Sequence, residues 1–182
     1  DITLKFLHPK RGLEAITAIN IIPRYGGTII HDCWASYLSY THCSHGLCGA
    51  HLLRELTFVV ESNGYPWAKN LKRLLKQTRA KVAERESKQL TEAEYKNLRK
   101  RYRRILSQGA KQLPSLPPRK KGSRGRVAKS DAHNLWERFK DYADAVLLFA
   151  KLPHVPITDN RAERDLRMSK VKQKVSGCFR TR

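Results

Sequence analysis

Acidic residues are scarce in this chain: its 182 residues hold 16 Asp and Glu against 37 Lys and Arg, a formal charge of +21. So large an imbalance costs self-repulsion and points to a polyanionic partner, most often nucleic acid. A basic protein that is merely soluble is the plainer alternative. Long apolar runs are missing too. The longest, Ala145 to Ala150, has six residues, far short of the roughly 20 that span a bilayer. Four Cys are too few and too scattered for a disulfide framework, and they suit a reducing compartment. The opening residues do not resemble a signal peptide, so a soluble intracellular protein is expected. The first residue is Asp rather than Met, and the chain is read as a piece of a longer one. With 40% hydrophobic and 29% charged residues, a mostly disordered tail and a disulfide-dense miniprotein are both excluded. At this length one domain can bury roughly two-thirds of the unfolded chain's surface.

Periodicity divides the chain. Ile2, Leu4 and Phe6 alternate with polar residues as in a strand. Leu13, Ile16 and Ile19 recur at helical spacing, and Pro23 marks the end of that helix. Gly26-Gly27 introduces Thr28-Ile29-Ile30, a β-branched run suited to a buried strand. That places Asp32 at the carboxyl end of a central strand, where ligands bind in open α/β sheets. Trp34, Tyr37 and Leu38 begin a new helical pattern. Leu47 to Glu61 and Trp67 to Val82 read as amphipathic helices. Thr91 and Glu94 have the spacing of a capping box that opens a third. From Arg99 to Lys129 there are twelve Lys or Arg and no acid. Within that stretch Pro114, Pro117, Pro118, Gly122 and Gly125 predict a mobile basic loop over about 113–127. Beyond it, Ser130 is a candidate N-cap for one helix with Leu135, Trp136, Phe139, Tyr142, Val146 and Phe149 on its apolar face. After Pro153 and Pro156 a last helix is predicted from Asn160 to about Val175, closed by Gly177.

Two carboxylates occupy privileged points, Asp32 at a strand end and Glu163 in the first turn of the last helix. Hard carboxylate oxygens suit Mg²⁺ or Mn²⁺, and paired ions can hold the oxygens of a phosphoryl transfer in line. Each acid also has a structural reading. Glu163 falls at the third helical position if Asn160 caps the helix, and Asp32 can cap the Trp34 segment. Cys43, His45, Cys48 and His51 are all zinc ligand types, but their spacing is not that of two separated pairs. Buried small thiols beside a polar His are the preferred reading, and zinc is expected to be absent. Arg164, Arg167, Lys170 and Lys174 recur every three to four residues as a basic stripe, to which Arg161, Lys172, Arg180 and Arg182 add. A charge run is often only a solvated face. Here it begins beside Glu163, which favours phosphate contact.

Four blocks then resemble a known family. They are Gly26-Gly-Thr-Ile-Ile-His-Asp32-Cys-Trp-Ala-Ser-Tyr37, Leu47-Cys-Gly-Ala-His51-Leu-Leu-Arg-Glu-Leu56, Thr158-Asp-Asn-Arg-Ala-Glu-Arg-Asp-Leu-Arg-Met168 and Lys172-Gln-Lys-Val-Ser-Gly-Cys-Phe-Arg-Thr181. Their order and spacing resemble the transposases of the IS-sixty-six family of bacterial insertion sequences, over nearly the whole chain. The resemblance implies a DDE transposase: an α/β, RNase H-like mixed sheet, here incomplete, with a large, mostly helical insertion before the last catalytic helix. It implies residues 1–56 as the first part of that core, 57–152 as the insertion with its basic loop, and 153–182 as the catalytic and basic C-terminal helix.

It further implies Asp32 and Glu163 as the second and third metal-binding acids, with Mg²⁺ or Mn²⁺ as cofactor. The first acid is expected upstream of residue 1, since Asp1 precedes a strand rather than lying within one. DNA, both insertion-sequence ends and target, is the implied partner, gripped by Arg161, Arg164, Arg167, Lys170 and Lys174. The implied setting is the bacterial cytoplasm at the nucleoid, with no membrane and with oligomers formed on DNA. The implied activity is phosphodiester hydrolysis followed by strand transfer, with the isolated chain expected to bind DNA without cleaving it. A non-catalytic DNA-binding remnant and another RNase H-like nuclease stand as alternatives.

Overall fold

The computed structural model describes residues 2–116 and 127–177; most of the predicted basic loop, and Arg180 and Arg182, lie outside them. Helix α1 (Leu13–Ile19) ends at Asn20, in the left-handed region, and a single 3₁₀ turn at Ile22–Arg24 carries Pro23. The periodic apolar segments become three long helices, α3 (Gly49–Asn63), α4 (Pro66–Glu84) and α5 (Glu92–Gln112). Short connections force each to return against its neighbour, α3 on α4 and α4 on α5. Leu52, Leu56 and Val59 of α3 meet Trp67, Leu71, Leu74 and Leu75 of α4 and Tyr95, Leu98, Tyr102 and Leu106 of α5 in one buried core. Burying each large side chain is worth about 1.5–3 kcal/mol.

The predicted capping box is formed. Thr91 Oγ1 accepts from the Glu94 N–H at 3.3 Å, and Glu94 Oε2 accepts from the Thr91 N–H at 2.9 Å. The hydrogen bond from Lys81 and those from Thr91 hold the Glu94 carboxyl at about 2, below the usual carboxylate range. Ser130 caps as foreseen, its Oγ accepting from the His133 N–H at 3.2 Å.

The segment read as one helix from Ser130 is two, α6 (Asp131–Asp141) and α7 (Ala143–Lys151), broken at Tyr142. The break serves two packing partners: α6 lies on α3 and α5, whereas α7 turns onto the sheet and α4. A straight helix would bury its stripe against only one of these surfaces. Within the first group, the Tyr102 hydroxyl donates to the Phe139 carbonyl at 2.7 Å and the Trp136 indole N–H to the Leu106 carbonyl at 2.9 Å. Both aromatic side chains thereby satisfy their polar atoms without leaving the core. The last predicted helix is broken likewise, into α8 (Asn160–Asp165) and α9 (Arg167–Ser176), with Gly177 left-handed at its end as expected.

Among the described residues the sheet has two strands, β1 (Thr28–His31) and β2 (Ser44–Leu47), paired parallel from Thr28↔Ser44 to His31↔Leu47. One short helix, α2 (Ala35–Leu38), lies in the crossover between them. Where the resemblance implied a mixed sheet, the described residues form a mostly helical α/β architecture with this small parallel pair. The alternating Ile2, Leu4 and Phe6 do not form a strand. They are 86%, 61% and 55% exposed, because alternation makes a strand only where a neighbouring strand accepts its hydrogen bonds. The segment is fastened instead through the Thr3 hydroxyl, which donates to Asp165 of α8.

Two glycines permit close approaches between elements far apart in sequence. A Cβ at Gly109 would lie 2.9 Å from Trp67 Cγ and 3.0 Å from Trp136 Cδ1, so α5 meets both indoles only because that side chain is absent. A Cβ at Gly49 would lie 2.7 Å from Ile157 Cγ1 and 3.0 Å from the Ile157 carbonyl oxygen. Overpacking of a filled site costs about 1–3 kcal/mol. Gly109→Ala should therefore lower the urea midpoint by a stability loss of that size with an unchanged m-value. Gly49→Ala should lose a similar amount, and amide exchange should localise its loosening to 155–160 and the start of α3. Wild-type stability in either variant would contradict the packing described.

Candidate functional site

The turn that follows β1 is built from its own side chains. Cys33 is left-handed, with φ 68°, a conformation that costs a non-glycine residue roughly 1–2 kcal/mol. Two hydrogen bonds hold it there: the Cys33 N–H donates to His31 Nδ1 at 3.2 Å, and the Trp34 N–H to Asp32 Oδ1 at 3.2 Å. Asp32 thus lies at the strand end and fastens the turn into α2 by the local bond that its capping reading anticipates.

The first of these bonds fixes a tautomer. Because His31 Nδ1 accepts, its Nε2 carries the proton and donates to His45 Nδ1 at 3.0 Å; His45 Nε2 then donates to the Tyr40 carbonyl at 3.1 Å. Burial, and then the neighbouring His45, hold His31 down at about 4, against the opposing pull of Asp32 and Asp159. His31 is therefore neutral, and the bond between the two rings links β1 to β2. Burial raises the Tyr37 hydroxyl, assisted by Asp32 and Asp159, so both carboxylates bear on His31 and Tyr37 alike.

A second set of contacts joins segments far apart in sequence. The Cys48 N–H donates to the His31 carbonyl at 2.8 Å, and the Gly49 N–H to the Ile157 carbonyl at 2.7 Å. This brings the Thr158–Asp159 loop to the start of α3. There the Cys48 thiol donates to Asp159 Oδ1 at 2.9 Å, and His51 Nε2 lies 3.4 Å from Glu163 Oε1. One ligand atom from each of Cys48, His51 and Asp159 falls within 4.8 Å of the other two. Burial, then the bond to Asp159, push the Cys48 thiol above its usual range. Asp32 follows the residue whose carbonyl bonds Cys48, and Glu163 meets the group through the His51 ring.

The four Cys and His residues grouped by sequence do not act as one set. Cys43 is buried and donates to the Tyr25 carbonyl at 2.7 Å, and His45 serves the His31 pair. Asp159 also takes the place assigned to Asn160: it is the N-cap residue of α8, so Glu163 is the fourth helical residue rather than the third. The backbone bond from Glu163 N–H to the Asp159 carbonyl, 3.2 Å, belongs to that first turn.

Glu163, Arg164, Arg167, Lys170 and Lys174 line one open groove of about 540 Å³, together with Arg54 and Asn160. Four of the five basic residues singled out in sequence thus surround the acid. Arg161 lies on another side, in a cleft of about 220 Å³ with Ile2, Thr3, Leu4 and Lys5. Its place one position into the helical turn after Asn160 rotates it away from the stripe. Arg54 was missed because it stands alone on α3, more than a hundred residues before the stripe. Asp159 stands within the Asp-Asn-Arg-Ala-Glu block, and only the fold shows its partner to be Cys48.

Among the described residues no helix is long and apolar enough to cross a membrane. No curated protein and no solved structure matches the chain. The family model described as Transposase IS66 family matches residues 1–182, its whole length. The order of the blocks around Asp32, Cys48 and Glu163 is thus that of a recognised lineage, and the chain belongs to the IS66 family of transposases.

Proposed function

We propose that this chain carries part of the catalytic site of DNA transposition, with Asp32 and Glu163 as ligands of divalent cations and the α8–α9 groove as the seat of DNA backbone. Family membership supports a function in transposition, with DNA as the partner. The observation that carries the finer reading is the groove itself: Arg54, Arg164, Arg167, Lys170 and Lys174 surround Glu163. Five cations around one carboxylate make a net positive surface, which suits a phosphate chain and explains part of the acid deficit. The domain division expected from sequence follows this reading, with α4 to α7 as the insertion that supports the site from behind.

The residues present fit Mg²⁺ or Mn²⁺ by their chemistry. Asp32 engages Oδ1 with the Trp34 N–H, and Glu163 turns Oε1 toward His51, so each is oriented through one oxygen and has a second hard oxygen to offer. Bound there, such ions supply Lewis-acid stabilisation to an in-line displacement at phosphorus. The chain's own residues do the rest. The stripe holds the DNA backbone in register, the turn at Cys33 fixes the direction of Asp32, and the hydrogen bond between His31 and His45 ties the two strands together. The proposed reaction is hydrolysis of a phosphodiester and attack of the freed 3′ hydroxyl on target DNA. The architecture proposed with it is an RNase H-like core.

The test has two arms. If the groove neutralises about five phosphates, log affinity for duplex DNA should fall with log salt at a slope near −4.5. Charge reversal of Arg164 and Lys174 together should flatten that slope, while reversal of Arg161 should change it less. A slope near zero in the wild type would overturn the DNA reading. In the second arm, Mn²⁺ binding followed by electron paramagnetic resonance should weaken in both Asp32→Asn and Glu163→Gln, with DNA affinity retained. Equal Mn²⁺ binding by wild type and both variants would remove these acids from a metal site and leave a DNA-binding module.

A further inference from the structure

We infer that Cys48, His51 and Asp159 form a second metal site, of a different character, selective for a soft or borderline ion such as Zn²⁺. Three observations carry this. The ligand atoms of the three residues lie within 4.8 Å of one another, close enough that small side-chain rotations bring them to the roughly 2.0–2.3 Å bond lengths of a tetrahedral zinc centre. The donor set is a thiolate, an imidazole and a carboxylate, which suits zinc and which Mg²⁺ does not seek. The third observation concerns the His51 ring: its Nε2 faces Glu163 at 3.4 Å, and its Nδ1 is buried with no hydrogen-bond partner. A ring with a carboxylate at one nitrogen and a buried, unpartnered second nitrogen has the arrangement of a ligating histidine oriented from its far side. A metal also satisfies a buried polar atom that otherwise carries its full desolvation cost.

The binding step is a proton exchange. The Cys48 S–H, which donates to Asp159 Oδ1 at 2.9 Å, gives up its proton to solvent. The sulfur then binds the ion, and Asp159 turns its oxygen from thiol to metal. The ligands come from the β2–α3 junction and from the loop before α8, so the ion would clamp together two segments 111 positions apart in sequence. It would do so beside the Gly49–Ile157 backbone bond. The sequence suggested no zinc at the Cys43 to His51 stretch because the local four residues lack the right spacing. Two of them acquire a third ligand only through the fold. The fourth coordination position remains for water.

This inference stands apart from the proposed Asp32–Glu163 function, and the test is chosen to keep them separate. Co²⁺ is used as the probe, titrated into the reduced, metal-free full chain. A thiolate-to-cobalt charge-transfer absorption saturating at one equivalent is expected, displaced by Zn²⁺ and not by excess Mg²⁺. The band should persist in a variant with Cys33, Cys43 and Cys178 all changed to Ser, which leaves Cys48 as the remaining thiol. It should vanish in Cys48→Ser and weaken in Asp159→Asn, with Glu163→Gln retaining it. Should Cys48→Ser fail to fold, the three-serine variant still decides. No thiolate–cobalt band in the wild type, or its loss when Cys33, Cys43 and Cys178 are replaced, overturns the site.

Discussion

A single close approach of backbone to backbone governs the arrangement of this molecule. The Gly49 N–H reaches the Ile157 carbonyl at 2.7 Å, and a Cβ at Gly49 would crowd both the Ile157 side chain and that carbonyl. One residue earlier, the Cys48 N–H closes on the His31 carbonyl. These two bonds bring the end of β1, the start of α3 and the loop before α8 to one place. Asp32 follows His31, Asp159 follows Ile157 by two positions, and Glu163 meets the junction through His51. Without these bonds the Asp159 carboxylate would lose its place beside the Cys48 thiol.

The helical scaffold exists to hold that junction. Helices α3 to α7 and β2 contribute to the same core, and α7 packs directly on β2. The bend at Tyr142 is the device that lets one stretch of chain serve both the helical hairpins and the sheet. Rigidity then follows from close packing around large rings. Trp67, Tyr102 and Phe139 are almost wholly buried, and the Tyr102 hydroxyl is bonded to the Phe139 carbonyl. A strand pair of four residues each could not hold a site in place by its own ladder.

Local rules made much of this legible. The capping box at Thr91, the Ser130 cap, the Thr28–Ile30 strand and the glycine at the last helix end are all short-range chemistry, and each is present. What local rules missed was set by tertiary contact. β2 is Ser-His-Gly-Leu, a sequence of poor strand propensity that is extended because β1 pairs with it and α7 covers it. Ile2, Leu4 and Phe6 have the right alternation and no paired neighbour. The breaks at Tyr142 and Leu166 carry no proline or glycine, so nothing in the residue types marks them. The same holds for the site. Glu163 with its basic stripe could be read from helical spacing, since all of it lies on adjacent turns. Asp159 with Cys48, and Arg54 with the stripe, could not.

The distribution of charge ties these points together. The chain is strongly basic, yet His31 at the end of β1 is held at about 4, by burial and then by His45. A charged ring there would compete with any cation for Asp32 and Asp159, both of which bear on His31. The basic side chains gather instead around Glu163, where Arg54, Arg164, Arg167, Lys170 and Lys174 line the groove. Carboxylate and phosphate repel each other at close range, so a phosphate chain seated at Glu163 itself is favoured when a cation lies between them. On the proposed reading, the basic residues of the groove hold a polyanion at its rim and divalent ions sit at the acid. The need for such an ion is what separates the catalytic reading of the groove from a purely electrostatic one.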